Sequence, residues 1–252
     1  MSIKTVVILG MHRSGTSMVG GVLTRLGVDM GQDFPGKQDS NPLGHFEDGD
    51  FLRLNRKILR RAGGYWYDPP SPGEINAQGE FFAEEIKELL DLRTGNQKEG
   101  IWGWKDPRTS LTIELFQRGL DNLHILWCQR EAGDVAASLK KRDQFATEKG
   151  IELTGVYNQR IAEFLEKNKE LPVLVLPYQE IIADPHHWIE KICQFLDIHP
   201  SREEIDEAAS FVMPPARIQR ERTWLRWRRR LSLPYRAVRK IWRILFHNQR
   251  IT

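Results

Sequence analysis

The stretch Ile3 to Gly27 constrains this chain more than any other. Its first part, Ile3 to Leu9, is an apolar, β-branched run. It reads as a strand buried on both faces of a parallel sheet. Gly10 and Gly15 then bracket a short loop, Gly10-Met11-His12-Arg13-Ser14-Gly15. After it, Met18, Val19, Val22, Leu23 and Leu26 recur at helical spacing, and Gly27 reads as the C-terminal cap. Strand, glycine loop and helix together predict a phosphate cradle, because loop amides and the helix N-terminus both face an anion.

The spacing within the loop refines this reading. Gly10, four residues, then Gly15 fits the nucleotide-hydrolase loop up to its last two places. There that loop requires Lys, then a Ser or Thr whose hydroxyl binds magnesium. This chain has Thr16 and Ser17 instead, and Arg13 supplies a cation inside the loop. Arg13, Ser14, Gly15, Thr16 and Ser17 are therefore expected to hold an anion. Magnesium-assisted nucleoside triphosphate chemistry is disfavoured.

Val28 to Gly44, rich in Gly, Asp and Pro, reads as a long functional loop carrying Asp33. A helix is predicted from Asp48 to Ala62, an aromatic-rich loop from Tyr65 to Gly79, and a helix from Glu80 to Leu92. Ile101 to Trp104 reads as a short strand. Lys105 then falls at its C-terminal end, where doubly wound sheets bind ligands. Pro107 is expected in the first turn of a helix running to about Arg118. Leu123 to Cys128 is a further strand, followed by Arg130 and a helix from about Gly133. Ser138 and Arg142 share a face of that helix. With Arg130 at the strand end, they form a second candidate anion site. Leu153 to Asn168 reads as a helix, Val173 to Leu176 as a strand ending at Pro177-Tyr178, and Pro185 to Leu196 as a helix. Ser201 caps a last helix through Ala209. Strands alternating with helices predict an α/β fold. The expectation is a three-layer, P-loop-like domain with a central, mainly parallel sheet and helices on both faces.

Composition adds a boundary near residue 212. From Arg217 to the end stand 12 Lys or Arg and one acid, Glu221, whereas the rest of the chain has 25 basic and 33 acidic side chains. Residues 1–212 are expected to form the α/β domain, and residues 213–252 a basic, aromatic-rich helical extension. That extension could lie on an anionic membrane surface or dock on its own domain. No nucleic-acid module accompanies the charge, so no nucleic-acid partner is expected. Cys128 and Cys193 fit no metal-ligand spacing and read as core thiols in a reducing compartment. No signal peptide is expected before the first strand, and no apolar run is long enough to span a membrane. A cytoplasmic protein, with membrane association through the tail, is expected.

The loop Gly10-Met11-His12-Arg13-Ser14-Gly15-Thr16-Ser17 resembles the 5′-phosphosulfate loop of sulfotransferases that use 3′-phosphoadenosine 5′-phosphosulfate. Arg130 with Ser138 resembles that family's 3′-phosphate motif. Trp104-Lys105-Asp106-Pro107-Arg108 and the segment Leu174 to Ile181 resemble two further family segments. The pattern is nearest to the bacterial and tyrosylprotein-type branch, over about residues 3 to 200. The resemblance implies metal-free, in-line sulfuryl transfer to an acceptor hydroxyl. In that scheme Arg13 stabilises the leaving phosphate and Lys105 the sulfuryl oxygens. Arg130, Ser138 and Arg142 bind the 3′-phosphate, and Tyr178 contacts the donor nucleotide. The base is Glu47 by first choice, then Asp33, then His45. A saccharide or glycolipid hydroxyl is the expected acceptor, with a small alcohol or phenol as the alternative; the loop Tyr65 to Tyr67, Trp102, Trp104 and the tail tryptophans could stack on sugar faces or equally be core. The competing function is a P-loop kinase or nucleotide-binding protein acting on a small molecule.

Overall fold

A computed structural model of the chain describes residues 3–31, 44–95 and 100–212. Strand β1 (Lys4–Leu9) leads through the glycine loop into helix α1 (Thr16–Arg25). Helix α1 stops as its sequence predicts. Gly27 adopts φ 79° and donates to Thr24 O, while Val28 donates to Leu23 O at 3.0 Å. These paired bonds close the helix end through a left-handed residue that only glycine adopts cheaply.

Helix α2 (Gly49–Arg61), the short α3 (Pro72–Asn76) and α4 (Gly79–Thr94) follow, then strand β2 (Ile101–Lys105) and α5 (Thr109–Gln117). Strand β3 (Leu123–Gln129) precedes α6 (Ala132–Asp143) and α7 (Thr147–Lys167). Strand β4 (Val173–Pro177) runs directly into α8 (Tyr178–Ala183), then α9 (Pro185–Leu196) and α10 (Arg202–Phe211).

The four strands lie in the order β2-β1-β3-β4, and every pairing is parallel. Because side chains alternate along a strand, β1 serves two cores. Val7 and Leu9 join a cluster with Phe51 and Ile58 of α2, Phe116 of α5 and Tyr157 of α7. On the same side Trp104 stacks on Phe51, centroids 4.1 Å apart and planes within 9°. Ile8 points to the opposite face, toward Gly20 of α1. The α/β fold with a parallel sheet and helices around it is thus observed.

Several elements depart from the sequence expectation. The segment from Tyr65 to Gly79 is not all loop. Ser71 accepts from Glu74 N, and the Glu74 carboxylate accepts from Ser71 N, so a capping box opens α3 with Pro72 in its first turn. Helix α7 begins at Thr147 rather than Leu153. Gly150 is tolerated there because it lets α7 approach α6: a Cβ at Gly150 would lie 2.7 Å from Ala136 Cβ. Pro107 sits in a turn before α5, which is capped by Arg108. Trp102 and Trp104, weighed as surfaces for a sugar, are core residues at 4 % and 0 % exposure. The expected extension over residues 213–252, including its membrane contact, lies outside the described residues. Among the described residues no helix is long and apolar enough to cross a membrane.

Candidate active site

Each strand of the sheet delivers a site residue at its carboxyl end, where open parallel sheets place ligands. The glycine loop follows β1, Lys105 closes β2, Arg130 follows β3, and Tyr178 follows β4.

The loop is shaped by three backbone requirements. Gly10 has φ 146° and Gly15 φ 103°. A Cβ at Gly10 would stand 2.7 Å from Ser14 Oγ and 2.8 Å from Cys128 O. Arg13 itself is left-handed, at φ 74°. Ser14 holds the turn by donating its hydroxyl to Met11 O at 2.7 Å and its amide to the same carbonyl at 3.1 Å. Gly15 caps α1 without a side-chain bond, and the first helical amides, Thr16 and Ser17, have no protein partner among the described residues. Unfilled donors at a helix N-terminus form an anion site.

The second motif meets the first. Arg13 Nε donates to Ser138 Oγ at 2.9 Å, and Arg130 Nη1 donates to the Arg13 carbonyl at 3.1 Å. The Arg130 guanidinium lies 4.2 Å from the Tyr178 ring centroid, and that ring packs on Gly15. Arg130 Nε is buried with no hydrogen-bond partner, and Asp134 lies 3.8 Å away. A cavity of about 570 Å³ borders Arg130, Glu131 and Gln179. Two unfilled amides and one unfilled guanidinium nitrogen fit a donor carrying two separate anions.

Arg142 is not brought into this group. Its Nε pairs with Asp143 at 2.6 Å, and its guanidinium stands 5.6 Å from the Trp66 ring centroid. Sharing a helix face with Ser138 does not fix where so long a side chain ends.

Lys105 links the loop to a carboxylate. Its ammonium donates to Ser17 Oγ at 3.1 Å and to Glu47 Oε1 at 2.9 Å, with the side chain 1 % exposed. Glu47 directly precedes the cap of α2. Asp48 fixes that cap by accepting from Asp50 N at 2.9 Å and Phe51 N at 3.3 Å, and Arg93 braces Asp48 and Asp50 together. Burial pushes the Glu47 carboxyl up, but the charges of Lys105 and Arg108 outweigh it and hold the group below its ordinary value. His45, half-buried beside it, is held below the usual imidazole value, chiefly by burial. Asp33 lies outside the described residues.

Sequence reasoning missed Arg108, Asp106, Asn55 and His12 as parts of this site. Arg108 Nη1 donates to Asp106 Oδ1 at 2.7 Å, and Asn55 Nδ2 of α2 donates to Asp106 Oδ2 at 2.9 Å. Burial works against the Arg108 charge, yet Asp106 and Glu47 outweigh it and hold its pKa above the usual arginine value. The tetrad Trp104 to Asp106 with Arg108 carried the signal, since two charges there flank a strand end in apolar sequence. His12 lies within the loop but packs its ring against Trp66, tilted by 48°. Among the described residues no cluster of three His, Cys, Asp or Glu is arranged to hold a metal.

An anion cradle along the carboxyl ends of a parallel sheet defines a P-loop-like α/β protein. The model of the sulfotransferase family matches residues 5–202, and the chain belongs to that family. A 3-beta-hydroxysteroid sulfotransferase of Cavia porcellus is 27 % identical over 135 residues, 46 % of this chain. That match spans 47 % of the relative's length. The fold resembles the sulfotransferase domain of the Synechococcus PCC 7002 olefin synthase, with TM-score 0.53, 15 % identity, and coverage of 86 % of this chain and 83 % of that one. It also resembles a sulfotransferase of Mycobacterium tuberculosis H37Rv, with TM-score 0.51, 13 % identity, and coverage of 88 % and 76 %.

Proposed function

We propose that this chain transfers a sulfuryl group from 3′-phosphoadenosine 5′-phosphosulfate to an acceptor hydroxyl without a metal. The observation that carries the reading is the position of Lys105 Nζ between Ser17 Oγ of the anion loop and the Glu47 carboxylate. One cation thereby touches both the donor cradle and the candidate base.

The chemistry assigns one task to each group. The acceptor oxygen attacks sulfur in line, and the bond from sulfur to the 5′-phosphate oxygen breaks. Glu47 takes the hydroxyl proton. Lys105 balances charge on the sulfuryl oxygens, and Arg13 with the Thr16 and Ser17 amides balances it on the departing phosphate. Arg130 and Ser138 bind the 3′-phosphate, and Tyr178 flanks the nucleotide. Positioning and fixed charge do most of the work, as in phosphoryl transfer. Asp33 and His45 stand behind Glu47 as bases.

For the acceptor, a saccharide or glycolipid hydroxyl is favoured. Tyr65 and Tyr67 form an exposed parallel pair 5.4 Å apart, the kind of surface on which a sugar ring rests. The basic stretch from Arg217 onward suits an anionic or membrane-borne acceptor. Labelled-sulfate transfer across a panel of hydroxyl acceptors tests the reading. Calorimetry should show adenosine 3′,5′-bisphosphate binding without magnesium. Binding of magnesium-ATP in its place would sink the proposal.

A further inference from the structure

His12 belongs to the anion loop by sequence, yet its side chain leaves the donor cradle. The ring is 6 % exposed, with its centroid 4.3 Å from that of Trp66 and 6.2 Å from that of Tyr157. The Tyr157 hydroxyl donates to the Trp66 carbonyl at 2.9 Å, so the two aromatic walls are tied to each other. Inside this clamp His12 Nε2 is buried and has no hydrogen-bond partner among the described residues. A buried polar atom left unmet carries a desolvation penalty, and native structures rarely keep one without a use.

The surroundings decide what use is open to it. Burial, then Arg108, Arg142, Lys105 and Arg13, all oppose a proton on the ring and hold its pKa well below the imidazole norm. Lys105 and Arg108 thus act on both His12 and Glu47. A neutral imidazole ringed by cations is a poor proton acceptor but a competent hydrogen-bonding group.

We infer that His12 Nε2 is an acceptor-recognition contact that reads a second hydroxyl of the substrate, beside the one presented to Glu47. The acceptor class is then a polyol such as a saccharide, not an isolated alcohol or phenol. This rests on the acceptor side proposed above around Glu47. A hydroxyl both donates and accepts, so it satisfies Nε2 in either tautomer. A hydrocarbon flank satisfies neither and leaves the nitrogen buried and unmet. Selection works by that difference, since a site built to hydrogen-bond a hydroxyl rejects the analogue lacking it.

The test uses His12→Phe, which keeps a ring against Trp66 and removes the nitrogens, and His12→Gln, which returns a hydrogen-bonding group. Wild-type protein saturated with adenosine 3′,5′-bisphosphate is titrated with methyl glucoside, glycerol and para-nitrophenol. The His12 imidazole nitrogen resonances are followed by NMR. A shift with methyl glucoside or glycerol that para-nitrophenol does not produce is expected; no shift with either polyol overturns the inference. In sulfate transfer, His12→Phe should raise KM for the polyol acceptor about tenfold relative to para-nitrophenol, and His12→Gln should recover part of it. Unchanged relative KM, or a raised donor KM in its place, overturns the inference. Failure of the bisphosphate to bind the wild-type protein would instead strike the donor reading on which this one rests.

Discussion

Lys105 Nζ lies 2.9 Å from Glu47 Oε1, and the two side chains are 1 % and 11 % exposed. A buried pair of this kind is a poor device for stability, because desolvation offsets much of the attraction. Its geometry serves chemistry better. The lysine holds the carboxylate ionised and fixes it at the end of the anion loop through Ser17.

Replacing Glu47 with Gln removes the base while keeping the shape and a partner for Lys105. Transfer of labelled sulfate should fall by about a hundredfold or more, in the range of general-base effects. The affinity for adenosine 3′,5′-bisphosphate, read by calorimetry, should stay within about twofold, because Glu47 is assigned no donor contact. Full activity in this variant would transfer the role to His45 or Asp33.

The depressed pKa of Glu47 fixes a pH dependence. Lys105 and Arg108 outweigh burial, so the carboxylate is ionised across the neutral range. The acid limb of kcat/KM should therefore fall below the ordinary glutamate value of about 4.3. The stabilisation linked to this group is complete above that ordinary value and is lost as pH falls through the depressed one. Lys105→Met removes the larger of the two opposing charges and its hydrogen bond, leaving Arg108 to act against burial. A carboxyl NMR titration of Glu47 should then move upward; an unmoved titration would break the assigned coupling.

The parts of this site that were legible in sequence are those imposed by backbone. A cradle needs positive φ at fixed places, so Gly10 and Gly15 stand out. Arg130 and Ser138 were legible because a strand end fixes one and a helix spacing the other. Where Arg142 ends was not legible, because its terminus lies several rotatable bonds from the backbone and rests against Asp143 and Trp66. Asp106 and Asn55 were illegible because their pairing joins α2 to the turn after β2 across 51 positions of chain. Helix α8 was missed because its six residues are too few for a periodic signal. Trp102 and Trp104 were ambiguous because an aromatic reads alike in a core and on a sugar.

Arg130 should separate nucleotides by their 3′-phosphate. Wild-type protein is expected to prefer adenosine 3′,5′-bisphosphate over adenosine 5′-monophosphate. Arg130→Ala should weaken the bisphosphate by about ten- to a hundredfold, as for a lost charge-assisted bond, and leave the monophosphate nearly unchanged. Equal losses for both ligands would show that Arg130 only supports the loop through the Arg13 carbonyl.

Gly15 and Gly27 provide a matched pair of substitutions. Both have positive φ, at 103° and 79°. A Cβ at Gly27 meets nothing within 4 Å, whereas one at Gly15 would stand 2.7 Å from Tyr178 Cδ2. Gly27→Ala should cost only the backbone penalty, about 1 kcal/mol. Gly15→Ala should cost more, about 2–3 kcal/mol, and should also weaken bisphosphate binding by displacing Tyr178 from beneath Arg130. Denaturant titration and calorimetry read the two effects, and equal stability losses would contradict the steric account.

Asp106 is the residue on which the buried Arg108 depends. It accepts from Arg108 Nη1 at 2.7 Å, Arg108 N at 3.1 Å and Asn55 Nδ2 at 2.9 Å, and it is fully buried. Asp106→Ala leaves Arg108, itself 6 % exposed, without its ion-pair partner. The expected loss is about 3–5 kcal/mol, the cost of an uncompensated buried charge. Adding Arg108→Met to that variant removes the stranded charge and should return part of the stability, while activity stays low because Arg108 also acts on Glu47. Recovery of stability without recovery of transfer separates the two roles of this arginine. If the double variant is no more stable than Asp106→Ala alone, the single loss comes from the hydrogen bonds to Asn55 and the backbone, and the stranded-charge account fails.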